Sequence, residues 1–276
     1  MYNPIGALLN VQKNTDFITQ FKNAQSLGVT CCQLCIWDQT LYTDEMAEKI
    51  NQAMDATGFS VSLLWAGYSG PVVWNFTEGP DTIGIVPEAH RAYRLEELRQ
   101  AALFAEKIHV TDIATHVGFI PENPSDPRYA PLVEALKAYC EELKSRGQHF
   151  LFETGQETPT TLLRTIEAIG TGNAWINLDT ANLILYGKAN TADAVRVFGK
   201  YVRNTHIKDG LYPTSGTNLG TEVKVGEGLA NVPEVIRLLT SCGYTGPYTI
   251  EREISGVQQH QDIADTVLFL EQLLSN

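Results

Sequence analysis

Eight short apolar, β-branched runs recur along this chain with longer stretches of helical period between them, and that alternation constrains the fold more than anything else in the sequence. The runs are IGALLN, VTCCQLCI, FSVSLLWAG, DIATHVGF, HFLFETG, AWINLDT, VRNTHIKD and PYTIERE. Amphipathic stretches such as TDFITQFKNAQSLG, YRLEELRQAALFAEKI, APLVEALKAYCEELKSRG and NVPEVIRLLTSCG separate them, and several end in Gly, as helix C-termini often do. Eight strand-helix units without an interrupting linker predict an α/β protein in which residues 1–276 form one closed (β/α)8 barrel domain. An open doubly wound sheet is the alternative. The length of 276 residues and the 43% hydrophobic content suit one such barrel and would cramp two ordinary domains.

Two connections exceed what a barrel needs: residues 68–89 after the third strand and residues 210–230 after the seventh. Both are βα loops, which lie on the active face of a barrel, and their length points to a substrate lid.

A net charge of -12 argues against a surface that neutralises nucleic-acid phosphates or rests on anionic lipid. MYNPIGALLN lacks a basic region ahead of a long apolar core, and no apolar run is long enough to span a bilayer, so a cytoplasmic protein is expected. Five cysteines, an odd number, fit free thiols better than a disulfide framework. Cys31, Cys32 and Cys35 cluster as zinc ligands do, but on a strand Cys32 and Cys35 face opposite ways and no second CxxC pair exists, so buried thiols are expected there.

Each of the last four strands ends in a residue able to bind metal: Glu153, Asp179, His206 and Glu251. Adjacent barrel strands lie about 4.8 Å apart, so four such side chains at the C-terminal rim can converge on one point. Three carboxylates gathered there would repel one another and take up protons unless a cation joined them. An oxygen-rich set with one imidazole suits one divalent ion, manganese, magnesium, cobalt or zinc, with manganese favoured. Two open positions on a six-coordinate ion would then take adjacent oxygens of a sugar.

With these residues in place, the sequence resembles the xylose isomerase-like TIM barrel superfamily, in its sugar isomerase and epimerase (sugar phosphate isomerase/epimerase-like) branch. The resemblance runs over nearly the whole chain and is most specific in FETGQET, NLDTANLILYG, THIKDG and YTIERE. It implies that Glu153, Asp179, His206 and Glu251 hold one metal, and that Glu153 and Glu251 pass a proton through a metal-stabilised enediolate. Ketose 3-epimerases of that branch carry a His where this chain has Asn182 and an Arg where it has Tyr212, which argues for a different sugar or polyol, held by Asn182 and Lys208. The apurinic endonucleases of the same superfamily need further histidines that this sequence lacks, and its acidity agrees.

Further substrate-binding candidates are His116, Trp65 and Glu157, with Trp37 as a second surface on which a sugar ring could stack. Each has a plainer reading: a packed histidine, core tryptophans, and for Glu157 a cap on the following helix. Lys208 either meets substrate or pairs with a carboxylate such as Asp209. Glu253 shares a strand face with Glu251, and the resemblance favours Glu251 as the ligand. GEG at 226–228 lacks the rest of a phosphate-binding pattern and reads as a turn. The expected function is therefore a metal-dependent isomerase or epimerase acting on a carbohydrate small molecule, as a monomer or a homo-oligomer. The alternatives are a lyase or dehydratase on a keto-sugar or polyol, and a non-catalytic sugar-binding barrel.

Overall fold

The computed structural model describes residues 3–275. In chain order the elements are β1 (Ile5–Asn10), α1 (Phe17–Ser26), β2 (Cys31–Ile36), α2 (Asp44–Thr57), β3 (Ser60–Ala66), α3 (Gly79–Thr82) and α4 (Glu88–Lys107). Then come β4 (Asp112–Thr115), α5 (Tyr129–Ser145), β5 (His149–Glu153), α6 (Pro159–Ile169), β6 (Ala174–Asp179), α7 (Asn182–Leu185) and α8 (Thr191–Phe198). The last are β7 (Val202–Ile207), β8 (Asp209–Leu211), β9 (Thr221–Val223), α9 (Val232–Ser241), β10 (Tyr248–Ile250) and α10 (Val257–Leu274).

The eight strands expected from sequence pair in parallel around a closed barrel in the order β1-β10-β7-β6-β5-β4-β3-β2, sealed where Ile5 pairs with Tyr248. The fold is thus an α/β (β/α)8 TIM barrel, and the open sheet is excluded. Helix and strand meet on the outer face, where Phe21, Ile36, Ile50, Leu98, Leu132 and Ile176 are fully buried. Each such side chain contributes roughly 1.5–3 kcal/mol by leaving water.

The inner face is divided. Cys35, Leu63, Trp65, Ala114 and Leu151 form a small apolar cluster of their own. The rest of the interior is polar, and Gln33 on β2 reaches across it: its Nε2 donates to Asn177 Oδ1 at 3.0 Å and to Asn204 Oδ1 at 2.9 Å. A register shift makes this possible on β7. Ile176 pairs with Val202 and Asn177 with Asn204, so Arg203 is the extra residue of a bulge. Arg203 and Asn204 can therefore both turn inward, and Arg203 Nε meets Asp112 at 2.8 Å at the N-terminal end of the barrel.

The two long connections do lie at the C-terminal end, and both contain structure that the pattern did not predict. Residues 68–87 carry the single turn α3; residues 208–230 carry the antiparallel hairpin β8–β9. Strand β7 accordingly ends at Ile207, and Asp209 opens the hairpin.

A buried charge of opposite sign pins each loop. Arg94 on α4, fully buried, donates to the carbonyl oxygens of Ser69 (3.2 Å), Pro71 (2.9 Å), Thr82 (2.8 Å) and Gly84 (2.7 Å). Asp209 accepts from the backbone N–H groups of Gly210 (2.8 Å), Ala230 (2.9 Å), Gly226 (3.0 Å) and Gly228 (3.1 Å). Gly228 is needed for this approach, because a Cβ there would stand 2.2 Å from Asp209 Oδ1. Both glycine amides of the GEG turn are thus directed at this carboxylate, while Glu227 N–H donates to the Lys224 carbonyl, consistent with the turn reading.

Cys31, Cys32, Cys35, Cys140 and Cys242 are all free, and Cys32 and Cys35 do face opposite sides of β2. Among the described residues, no helix is long and apolar enough to cross a membrane.

Candidate metal centre and active site

Glu153 closes β5, Asp179 closes β6, His206 is the next-to-last residue of β7, and Glu251 follows β10 directly. Four consecutive positions around the rim therefore aim at one point, and one ligand-type atom from each lies within 4.8 Å of all the others. His206 Nδ1 stands 2.9 Å from Glu153 Oε1, 3.3 Å from Glu251 Oε2 and 4.0 Å from Asp179 Oδ2. Yet His206 Nδ1 and Asp179 Oδ2 are both buried without a hydrogen bond. Such atoms are costly to leave unpaired, and two facing the same space fit a cation.

The surroundings fix how these groups present themselves. Gln33 donates through its nitrogen to Asn177 and Asn204, so its Oε1 is turned to His206 Nε2 at 2.8 Å. His206 Nε2–H then donates to Gln33, which turns Nδ1 to the centre, the orienting role that partners of metal-binding histidines play. Asn177 Nδ2 donates to Glu153 Oε2, leaving Oε1 toward the centre. Asp179 Oδ1 accepts from the N–H groups of Ala181 (2.7 Å) and Asn182 (2.8 Å), which leaves Oδ2 toward it.

Charge is crowded here. Burial drives the Asp179 carboxyl well above the usual carboxylate range. Burial opposes charge on Glu251, but Lys208 and His206 hold its carboxyl well below that range. Burial likewise opposes charge on His206, yet Glu153 and Glu251 raise its imidazole well above the ordinary value. A divalent cation would take the place of that proton on Nδ1, because a coordinating imidazole must be neutral.

Lys208 is buried at the edge of the group, its Nζ 2.8 Å from Glu253 Oε1, 3.3 Å from Glu251 Oε2 and 3.7 Å from Asp179 Oδ2. Its carboxylate partners are these three, whereas Asp209, the carboxylate that the sequence left open for it as an alternative to substrate, is engaged by the loop amides instead.

The centre opens into a cavity of about 670 Å³ whose lining includes Glu153, Glu251, Glu253, Asn182, Tyr186 and His116. Its far wall is aromatic. Trp65 at the end of β3 touches Trp37 (5.1 Å between ring centroids) and His116 (5.7 Å), and His116 touches Trp74 (5.2 Å). Burial holds the His116 imidazole below its ordinary value, and its Nδ1 is buried without a partner.

Over residues 21–273 the sequence matches the family described as xylose isomerase-like TIM barrel. The chain belongs to that family. A solved xylose isomerase domain protein from Planctomyces limnophilus is 34% identical, over 99% of this chain and 98% of its own, with a TM-score of 0.91. A xylose isomerase-like TIM barrel protein from Mycobacterium smegmatis, solved in complex with magnesium, shares the fold at 16% identity and TM-score 0.73, over 99% of this chain and 96% of its own. A 3-keto-D-glucoside 4-epimerase from E. coli does so at 15% identity and TM-score 0.71, over 98% and 99%. No functionally curated protein matches the sequence significantly.

In this xylose isomerase-like barrel, His116, Asn182 and Trp65 line the cavity together with the two glutamates, and Trp37 joins them. Glu157 does not. It is buried behind the wall, where burial pushes its carboxyl up to about 8 and leaves Oε1 without a hydrogen bond. Nor does it cap α6, whose cap is Thr158, with its hydroxyl accepting from Thr161 N. Glu253 stands apart from the four-residue group, its side chain 59% exposed. Tyr212 lies exposed beyond the cavity lining.

Sequence reasoning missed Gln33, Asn177, Asn204 and Trp74. The signal for two of them was present, since Asn177 and Asn204 sit two residues before Asp179 and His206 and so share their inward face.

Proposed function

We propose that this barrel is a divalent-metal-dependent isomerase or epimerase of a sugar or sugar derivative. The observation that carries the reading is the convergence of Glu153, Asp179, His206 and Glu251, whose ligand-type atoms lie within 4.8 Å of one another with two glutamates at the ends of the four-strand arc. Glu153, Asp179, His206 and Glu251 would hold the ion, and their oxygen-rich set suits manganese or magnesium, with cobalt and zinc as alternatives and manganese favoured. A bound divalent cation supplies positive charge that favours negative charge on a substrate carbonyl oxygen.

The chain's own residues would do the rest. Glu153 Oε1 and Glu251 Oε2 approach the centre from β5 and β10, with β6 and β7 between them, so a substrate carbon held there meets a carboxylate on either side. One takes the proton beside the carbonyl and the other returns it. Lys208 links Glu251 to the exposed Glu253 and would keep the Glu251 carboxylate ionised and ready to take that proton. Asn182 and His116 would hold substrate hydroxyls, while Trp65 seats the ring. Structural relatives named for sugar epimerisation, among them an L-ribulose 3-epimerase and a D-psicose 3-epimerase, agree with the reaction class.

Incubation of the manganese-supplied protein with candidate sugars in deuterated water should place deuterium at one carbon. Glu153→Gln and Glu251→Gln should each lower that exchange about a thousandfold while the circular dichroism spectrum stays unchanged. Absence of exchange across a broad panel would count against the proposal.

A second reading is elimination from a keto-sugar or polyol. Asn182 and Tyr212, standing where the resemblance to ketose 3-epimerases would place a His and an Arg, favour it. Product mass separates the two readings, since isomerisation conserves mass and dehydration removes water. Binding without conversion would leave a carbohydrate-binding barrel.

A further inference from the structure

The cavity is larger than one sugar ring requires. A single hexose takes about the room of six or seven waters, roughly 200 Å³, against the cavity's about 670 Å³. Space for a second ring remains after the first has reached the acidic centre.

The shape of the aromatic wall says where that space lies. Trp65 and His116, 5% and 7% exposed, sit deep beside the centre, whereas Trp37 and Trp74, 39% and 42% exposed, stand at the mouth. Trp37 and Trp74 meet at 6.4 Å with an angle of 86° between their planes, which makes a right-angled corner of two indoles. The corner is built into the fold: a Cβ at residue 67 would lie 2.6 Å from Trp37 Cε3, so the ring rests on Gly67 just past β3. Trp74 comes from the loop that buried Arg94 pins. Large indoles held half-exposed beside a cavity offer apolar faces that nothing in the chain covers. Polar side chains from Asn10, Ser255 and Gln259 line the same cavity. An apolar face with polar edges is the pattern that matches a sugar ring, which has C–H faces and a hydroxyl perimeter.

We propose that the site takes a ligand of two linked sugar rings, a disaccharide or its derivative, with one ring at the acidic centre and the second in the Trp37–Trp74 corner. This rests on the sugar reading above and names its substrate class.

Calorimetric titration of the manganese-supplied protein tests it, using glucose, galactose and fructose against cellobiose, lactose, maltose and sucrose. At least one disaccharide should bind about tenfold more tightly than either of its monosaccharides. Trp37→Ala and Trp74→Ala should each remove about fivefold of that advantage, and Trp74→Ala should leave monosaccharide affinity within about twofold. Trp37→Tyr, which keeps a ring, should retain most of it. Trp74→Ala, in a loop, carries the test should Trp37→Ala lose its fold by circular dichroism. Monosaccharides binding as tightly as every disaccharide, or an advantage that survives in the alanine variants, overturns the second-ring subsite and leaves the sugar reading standing. No sugar of either size binding overturns both.

Discussion

The rim of this barrel has two arcs, and they are built on opposite principles. From β5 to β10 the strand ends carry acids and an imidazole, backed by the amides of Gln33, Asn177 and Asn204. From β2 to β4 they carry Trp37, Trp65 and His116, backed by Cys35, Leu63, Ala114 and Leu151. The long loop over each arc is pinned by a buried charge, a guanidinium gathering carbonyls on the aromatic side and a carboxylate gathering N–H groups on the acidic side. The contrast teaches that one scaffold can hold a polar centre and an apolar platform side by side. Each is supported by atoms of its own kind beneath it, and each loop is anchored independently of the chemistry it covers.

Removing the pins breaks that comparison most strongly. Arg94→Met should cost about 3 kcal/mol, since hydrogen bonds to a buried charge are worth roughly 1.5–3 kcal/mol each and part of the loss is recovered by water. Limited proteolysis should then cut first within residues 68–87. Asp209→Asn should cost less, about 2 kcal/mol, and open residues 210–230 instead, because an amide oxygen replaces only one of two acceptors. Equal cleavage of both loops in either variant would show that the anchors are not independent.

The polar layer offers the next test. Gln33→Leu keeps the side-chain size but removes the acceptor that fixes the His206 tautomer, so manganese affinity should fall about 10- to 100-fold. Leu63→Ala on the apolar side should destabilise the barrel by about 2–5 kcal/mol with manganese affinity unchanged. If both variants bind the ion equally well, the layer beneath the centre does not tune it.

The smallest effect concerns Glu157. Its folded-state pKa, about 8, lies above the usual carboxylate value because of burial, so the folded protein holds a proton that the unfolded chain gives up. That stabilising proton is fully present below the unfolded pKa and is lost as pH rises through about 8. Melting temperature should therefore fall between pH 6 and 9 more steeply in the wild type than in Glu157→Gln, and matching slopes would contradict the assignment.

Much of this architecture was legible in the sequence, for physical reasons. Buried parallel strands are apolar runs, and the ends of such strands stand out when they carry Glu153, Asp179, His206 and Glu251. The polar support was hard to read because period-two alternation shows which side chains face inward and not which ones meet across a closed barrel. Gln33 touches residues on β6 and β7, far away in sequence. Arg94 sits in YRLEELRQ, where a charge reads as a solvated helix face, and its four carbonyl partners come from a loop without pattern. The hairpin β8–β9 has three residues per strand in a Gly- and Thr-rich segment, too short for alternation to register. Asp209 looked like a partner for Lys208 because the two are adjacent, but successive residues point apart, and its carboxylate turned to the loop amides.

Glu153, Asp179, His206 and Glu251 are proposed to hold one divalent ion together. Counting bound manganese by electron paramagnetic resonance, in chelator-stripped wild type and in Asp179→Asn and His206→Asn, tests it most directly. One ion per wild-type chain, lost in both variants with the fold intact, is the predicted result; no tight binding by the wild type, or the same stoichiometry in all three proteins, would contradict it.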